Sequence, residues 1–259
     1  MIVRLGAVGY LNARPLVYQL DRSPDFSLRF DIPSRCADLL HSGAIDVGLI
    51  PSIEYLRGGP LSIVPGLAIA SRGPVTSVML YTTRPIEQVR SIAMDTSSRT
   101  SVALVRVLCA KLFKITPSFE PLGPDLDAML RRCDAALMIG DNALFEPRAG
   151  NREIVDLGDA WTQLTGLPFV YAFWAGKPGV LTPAHVRALH ETRDRGVAEA
   201  ETVAREYLRD QPERQALGAR YLRDNIKYHF GDDERAGLEL FYRYAADIGV
   251  APARMLRFY

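Results

Sequence analysis

Up to residue 174 the apolar residues fall in short runs. Ile2–Ala7, Ser27–Asp31, Val47–Ile50, Ser62–Ala70, Ser77–Thr82, Ile92–Met94, Ala135–Ile139 and Phe169–Trp174 read as strands, with Ile154-Val155 a further short extended piece. Runs of about 4–8 residues bounded by Gly, Pro or Asp mark strands buried on both faces. Between them the period becomes helical. Pro33-Ser34 opens a helix through His41 that Gly43 ends, and a short helix follows at Ile53–Leu56. Ser101–Phe113 is a long helix with Val102, Leu104, Val105, Leu108, Cys109 and Leu112 on its apolar side. Asp125–Arg131 is helical, and Gly140-Asp141-Asn142 turns into another helix. From Pro183 onward helical periodicity dominates, with charged faces such as Glu199, Glu201, Arg205 and Glu206, and no strand is predicted after Trp174.

This alternation predicts the α/β class with mostly parallel sheets. Two βαβ groups, joined near Ser71–Thr76 and again near Leu167–Tyr171, predict two α/β lobes with a central cleft. Residues 1–75 with 172–259 would form one lobe and 76–171 the other, with the helical C-terminal tail packed back on the first. Ligands of open α/β sheets sit beyond the carboxyl ends of strands. Three loops fall there: Gly9–Asn12, Asp95–Thr100 and Gly140–Asn142.

Composition narrows the partner. The 259 residues are 48% hydrophobic and 24% charged, with 31 basic against 30 acidic side chains and a net charge of +1. These values exclude a disordered chain or a coiled coil, and they supply no charge excess for nucleic acid or an anionic membrane. A small anion needs no such excess, because backbone N–H groups can hold it. No stretch approaches the ~20 apolar residues of a membrane span. The opening MIVRLGAVGYLNARPL reads as a strand rather than a secretion signal, so a cytoplasmic protein is expected. Cys36, Cys109 and Cys133 are odd in number and flanked by apolar residues, as buried thiols in a reducing compartment would be.

The segment DTSSRTS, Asp95 to Ser101, carries the strongest local chemistry. Hydroxyls of Ser97, Ser98, Thr100 and Ser101 crowd a strand-to-helix turn, where free N–H groups suit a carboxylate or phosphate, and Arg99 adds a charge-assisted donor. Without anion binding, the same residues read as an N-cap at Ser98 or Thr100. Asn12, behind Gly9 and Tyr10, reads as a helix cap or as an amide offered to a ligand. Thr76 and Ser77 follow the Gly73-Pro74 turn at the lobe crossing, where a hydroxyl would face the cleft. Asp141 reads as an N-cap or as a group that orients the cleft, and Ser52 lies in a similar strand-end loop. Glu54 reads as solvated or paired. His41, His185, His190 and His229 avoid the strand-end loops, and no metal-ligand spacing, dinucleotide fingerprint, P-loop or GxSxG elbow occurs. No cofactor and no metal is predicted, so any reaction would rest on orientation and polarisation.

The loops carry a family resemblance. GYLNARPL (Gly9–Leu16), DVGLIPSIEY (Asp46–Tyr55), GPVTSV (Gly73–Val78), DTSSRTSVAL (Asp95–Leu104), LMIGDNAL (Leu137–Leu144) and DLGDAWTQLTGLPFVYAFWA (Asp156–Ala175) occur in the order found in the chorismate dehydratases of the futalosine route to menaquinone. The chain resembles that family through roughly residues 1–175, and the helical tail matches it only in character. The sister enzyme, dihydroxynaphthoate synthase, opens with a different loop containing cysteine and proline.

The resemblance implies a type II periplasmic-binding-protein-like fold. It implies cofactor-free loss of water from chorismate to give 3-[(1-carboxyvinyl)oxy]benzoate, with the substrate's own enolpyruvyl carboxylate as base. On the family's analogy Asn12 holds the reacting polar groups and Ser77 assists near the leaving hydroxyl. Loop chemistry assigns the substrate to Gly9, Tyr10, Ser52, Thr76, Ser97, Ser98, Arg99, Thr100, Ser101, Gly140 and Asp141. A non-catalytic small-anion solute-binding protein of the same fold and the sister enzyme dihydroxynaphthoate synthase are the alternatives. The sensing domain of a transcription regulator would call for DNA-binding helices and a basic patch, neither of which is read here.

Overall fold

The computed structural model describes residues 2–147 and 153–259. The chain begins with strand β1 (Val3–Val8), β2 (Phe26–Asp31), helix α1 (Pro33–His41) and β3 (Val47–Pro51), then the short β4 (Ser62–Ile63) and β5 (Ile69–Ser71). The second sheet follows as β6 (Val78–Thr82), β7 (Ser91–Asp95), α2 (Arg99–Leu108), β8 (Ser118–Leu122), α3 (Leu126–Arg132), β9 (Ala135–Ile139), α4 (Gly140–Leu144), β10 (Glu153–Asp156) and α5 (Leu157–Thr165). The chain then returns through β11 (Phe169–Gly176) and ends in α6 (Pro183–Ala198), α7 (Ala200–Tyr207), α8 (Pro212–Arg220) and α9 (Asp232–Asp247).

Two sheets result, each the centre of an α/β lobe. The first has the order β2-β1-β3-β11-β4, with β5 also on β11, and the second has the order β10-β6-β9-β7-β8. In each, three strands run parallel as expected: β2, β1 and β3, and β9, β7 and β8. The remainder are antiparallel, so the sheets are mixed rather than mostly parallel. The cause is the double crossing. A strand that enters a lobe from its neighbour starts at the cleft, whereas the βαβ strands end there. Thus β11 pairs antiparallel with β3, Ala172 opposite Pro51, and β6 pairs antiparallel with β9, Val78 opposite Ile139.

Alternation along the second sheet decides which side chain meets which helix. Val78, Leu80, Ile92, Met94, Leu137 and Ile139 join the main core with Leu104 and Leu108 of α2 and Trp161 of α5. Their alternate neighbours Met79, Tyr81, Ala93, Ala136 and Met138 form a smaller core with Leu126 and Met129 of α3 and Ala143 of α4. That is the period of two expected of a sheet covered on both faces.

The crossings are pinned. Asp156 caps α5 through Gly158 N–H (2.9 Å) and Asp159 N–H (3.2 Å), and also accepts from Val75 N–H (3.0 Å) and Thr76 N–H (2.7 Å) in the first crossing. Those bonds hold Thr76 at φ +60°. For a β-branched residue this left-handed conformation costs on the order of 1–3 kcal/mol. At the second crossing Trp161, Phe169 and Phe241 pack edge to face, with centroids 4.8–6.0 Å apart. The tail packs against the Leu11–Val17 turn. Its contact with the Leu11–Val17 turn is so close that a Cβ on Gly196 would lie 2.2 Å from the Pro15 carbonyl oxygen. No helix among the described residues is long and apolar enough to cross a membrane.

Candidate functional site

The ends of β1, β3, β7 and β9 and the starts of β6 and β11 meet around one small cavity, with about 40 Å³ open to the centres of water-sized spheres. Val8, Pro51, Val75, Val78, Ile139 and Ala172 supply much of its apolar wall. Its polar groups are Tyr10, Asn12, Ser77, Ser98, Ser101 and Tyr171, and Gly140 completes the lining. None of the described lining residues is cationic.

Asn12 and Ser77 come together through a residue that sequence reasoning missed. The Tyr221 hydroxyl, from the turn after α8, donates to Ser77 Oγ (2.7 Å), and the Asn12 side chain lies beside the same phenol. Burial pushes the Tyr221 hydroxyl far above its ordinary pKa, so it stays a donor. Ser77 is 1% exposed; with Tyr221 donating to it, its own proton is free to turn toward the cavity. Asn12 Oδ1 is buried without a hydrogen-bond partner. Asn12 is no helix cap: it lies inside a 3₁₀ turn, Leu11–Val17, whose N-cap is Tyr10. Its backbone carbonyl accepts from Tyr228 (3.0 Å).

The DTSSRTS segment divides. Ser98 caps α2, accepting from Ser101 N–H (3.4 Å) and Ser101 Oγ (3.1 Å), and both side chains line the cavity at the positive end of the helix. Ser97 donates from its hydroxyl to Asp95 Oδ1 (2.6 Å) and accepts from Tyr10 across the cleft (3.3 Å). Asp95 is 2% exposed, and burial raises its pKa against the pull of the Ser97 bonds. Thr100 turns away, with Oγ1 accepting from Ile53 N–H (3.1 Å).

Arg99 also turns away, bridging the lobes to Asp38 (2.9 Å) and Glu54 (3.0 Å). Burial works against the Glu54 carboxylate, but His41, Arg99 and Arg57 hold its pKa below the ordinary value. Glu54 is thus the paired residue that the sequence suggested.

The remaining expected residues serve the frame around the cavity. Ser52 donates to the Val170 carbonyl (2.8 Å). Gly9 donates to Asp31 O (3.0 Å) and accepts from Arg14 (3.1 Å) and Tyr207 (3.0 Å). Thr76 holds the strained crossing. Gly140, at φ +61°, supports the Tyr10 ring, where a Cβ would come within 2.8 Å of ring atoms. Asp141 is not the cap of α4, whose N-cap is Ile139; it accepts from Leu11 N–H (3.0 Å) and from the Tyr207 hydroxyl. Tyr171, in the cavity wall, shares a hydrogen bond with Ser71 (3.0 Å). A tyrosine inside the wholly apolar run FVYAFWA signals such a need for a partner. Tyr207 and Tyr221 have no local signal in the charged tail.

A family model described as menaquinone biosynthesis matches residues 3–247. The chorismate dehydratase of Thermus thermophilus is 32% identical over 255 residues, covering 92% of this chain and 93% of that protein. That of Campylobacter jejuni is 29% identical over 174 residues, 64% of each chain. Protein AF1704 of Archaeoglobus fulgidus superposes with a TM-score of 0.73 at 14% identity, covering 96% of this chain and 98% of that one. The alkanesulfonate-binding protein SsuA of Xanthomonas axonopodis, solved with MOPS, gives 0.69 at 16% identity, covering 98% and 95%. These likenesses establish the periplasmic-binding-protein type of fold, and the sequence match shows that the chain belongs to the menaquinone-biosynthesis family.

Proposed function

We propose that the protein is a chorismate dehydratase, releasing water from chorismate to give 3-[(1-carboxyvinyl)oxy]benzoate. The observation that carries the reading is family membership together with a near full-length relative bearing that activity in its name. Elimination removes the ring C3 proton and the C4 hydroxyl and leaves an aromatic ring. Charge from C3 spreads onto the ring carboxylate, so donors aimed at that group lower the barrier. Ser98, which only accepts from Ser101 and so keeps its own hydroxyl proton, and the start of α2 supply such donors. Asn12 and Ser77, beside one tyrosine, orient the reacting groups and the leaving hydroxyl.

The cation-free wall bears on the base. A carboxylate enclosed by apolar residues, with no cation to stabilise it, gains proton affinity. The substrate's own enolpyruvyl carboxylate is thereby made a stronger base without a protein histidine. We assign the reaction to the cytoplasm, where the three free cysteines stay reduced.

The test mixes purified protein with chorismate and follows products by mass. Loss of one water per chorismate supports the reading. Binding without turnover favours a solute binder, the role named for SsuA. Asn12→Ala and Ser77→Ala are each expected to cut turnover by about 10²-fold; wild-type rates in both would sink the residue roles.

A further inference from the structure

We propose that Asp141 is a positioning residue that reaches across the cleft and sets the Asn12 amide against Ser77. The proposal rests on the reading above for what Asn12 does. Its geometry stands independently.

The Gly140-Asp141 dipeptide follows β9 on the second lobe and bonds the Ser77 backbone and the chain neighbour of Asn12. Gly140 N–H donates to the Ser77 carbonyl (2.8 Å), fixing the residue at the start of β6. Asp141 Oδ1 accepts from Leu11 N–H (3.0 Å), the amide that immediately precedes Asn12 on the first lobe. Asp141 Oδ2 accepts from the Tyr207 hydroxyl of the helical tail. Both carboxylate oxygens are therefore engaged by protein, and Asp141 is absent from the cavity wall. It acts on a ligand only through its partners.

The third corner is Arg14. Its guanidinium lies 4.7 Å from the centre of the Tyr207 ring and 4.2 Å from that of Phe30, and donates to the Gly9 carbonyl (3.1 Å). It supplies positive charge beside a carboxylate whose pKa burial otherwise raises. The latch thus joins the first turn of the chain, the second lobe and the tail. Its bonds cross the cleft, so they exist only while the lobes are together. Closure and placement of Asn12 are one event.

Asp141→Ala removes the acceptor, and Tyr207 then has the Gly9 carbonyl as its remaining acceptor (3.0 Å). Alanine also suits the start of α4. Amide hydrogen exchange, measured without ligand, should show the Leu11 amide exchanging about ten- to a hundredfold faster in Asp141→Ala, the range for a lost charge-assisted bond. Asp141→Asn keeps an acceptor oxygen and should recover part of the protection. Unchanged Leu11 exchange at an unchanged melting temperature overturns the latch, whatever the protein's substrate.

Chorismate turnover supplies the second arm. Asp141→Ala should lower kcat about tenfold or more in the Asn12 background and add no further loss in Asn12→Ala. Independent, multiplicative losses would make Asp141 a separate contributor and overturn the proposal. If Asp141→Ala fails to fold, Tyr207→Phe provides the same double-mutant cycle, with a smaller loss that must likewise vanish without Asn12. A wild-type protein inert toward chorismate would refute the functional reading and leave the exchange result to decide the latch.

Discussion

Tyr221→Phe isolates one atom of the site. The phenol is 2% exposed and its hydroxyl lies 2.7 Å from Ser77 Oγ. Phenylalanine keeps the ring, so packing is retained and only the hydrogen bond is lost. A neutral buried bond contributes about 0.5–1.5 kcal/mol net, and a partner left unsatisfied raises the cost toward ~1–3 kcal/mol. Ser77 keeps its own proton to donate, which places the loss near ~1–2 kcal/mol. At ~2–4 °C per kcal/mol for a chain of about this size, the melting temperature should fall by about 2–8 °C. Turnover should respond separately. The Ser77 hydroxyl has three staggered positions, and a bias of ~1.4 kcal/mol toward one of them is worth about tenfold in population. We expect kcat for chorismate to fall by up to about tenfold, with little change in KM. Calorimetry and initial rates on the same preparation check both numbers. A variant that melts and turns over as the wild type does would refute the reasoning that the tail orients Ser77.

Two further substitutions probe the frame. Gly140→Ala places a Cβ at φ +61°, within 2.8 Å of Tyr10 ring atoms; we expect a loss of ~1–2 kcal/mol or more from the backbone alone, read by denaturant unfolding. Asp95→Asn tests the buried carboxyl whose pKa burial raises. Below both pKa values Asp95 is neutral folded and unfolded; as pH rises, the unfolded chain ionises first and stability drains until the folded pKa is passed. Asp95→Asn should therefore stabilise the protein at pH 7, with the gain shrinking as pH falls through the raised folded value and gone below the ordinary Asp value of ~3.9. A gain equal at both pH values would contradict this sign.

The sequence revealed elements wherever burial was uniform. The runs at β1, β3, β7, β9 and β11 are apolar because both sheet faces are covered, and their positions matched. β8 shows no apolar run because it is an edge strand, partly exposed and carrying Pro121, as edges tolerate. One expected strand over Ser62–Ala70 is in fact β4 and β5, separated at Gly66 with φ +71°. α5 is marked in the sequence only at its two ends, by Asp156 and Gly166. At the site, the loops at Asn12, Ser77 and Ser98–Ser101 were legible because strand ends concentrate polar residues. Arg99 and Thr100 share that loop yet face the lobe seam, since consecutive residues entering a helix point in different directions. Tyr207 and Tyr221 could not be read locally; only tertiary packing brings the tail within reach of Gly9 and Ser77.

The placement of β11 has a bearing on biosynthesis. The second sheet is assembled from one continuous stretch, whereas the central gap of the first is filled by a strand that leaves the ribosome more than a hundred residues after its partner β3. At ~5–20 residues per second, that interval is on the order of ten seconds. Throughout it the nascent chain presents β3, VGLIP, with an unsatisfied apolar edge that other chains can pair with. The demand on chaperones during synthesis therefore falls on the first lobe, although its earliest strands are the first to be made.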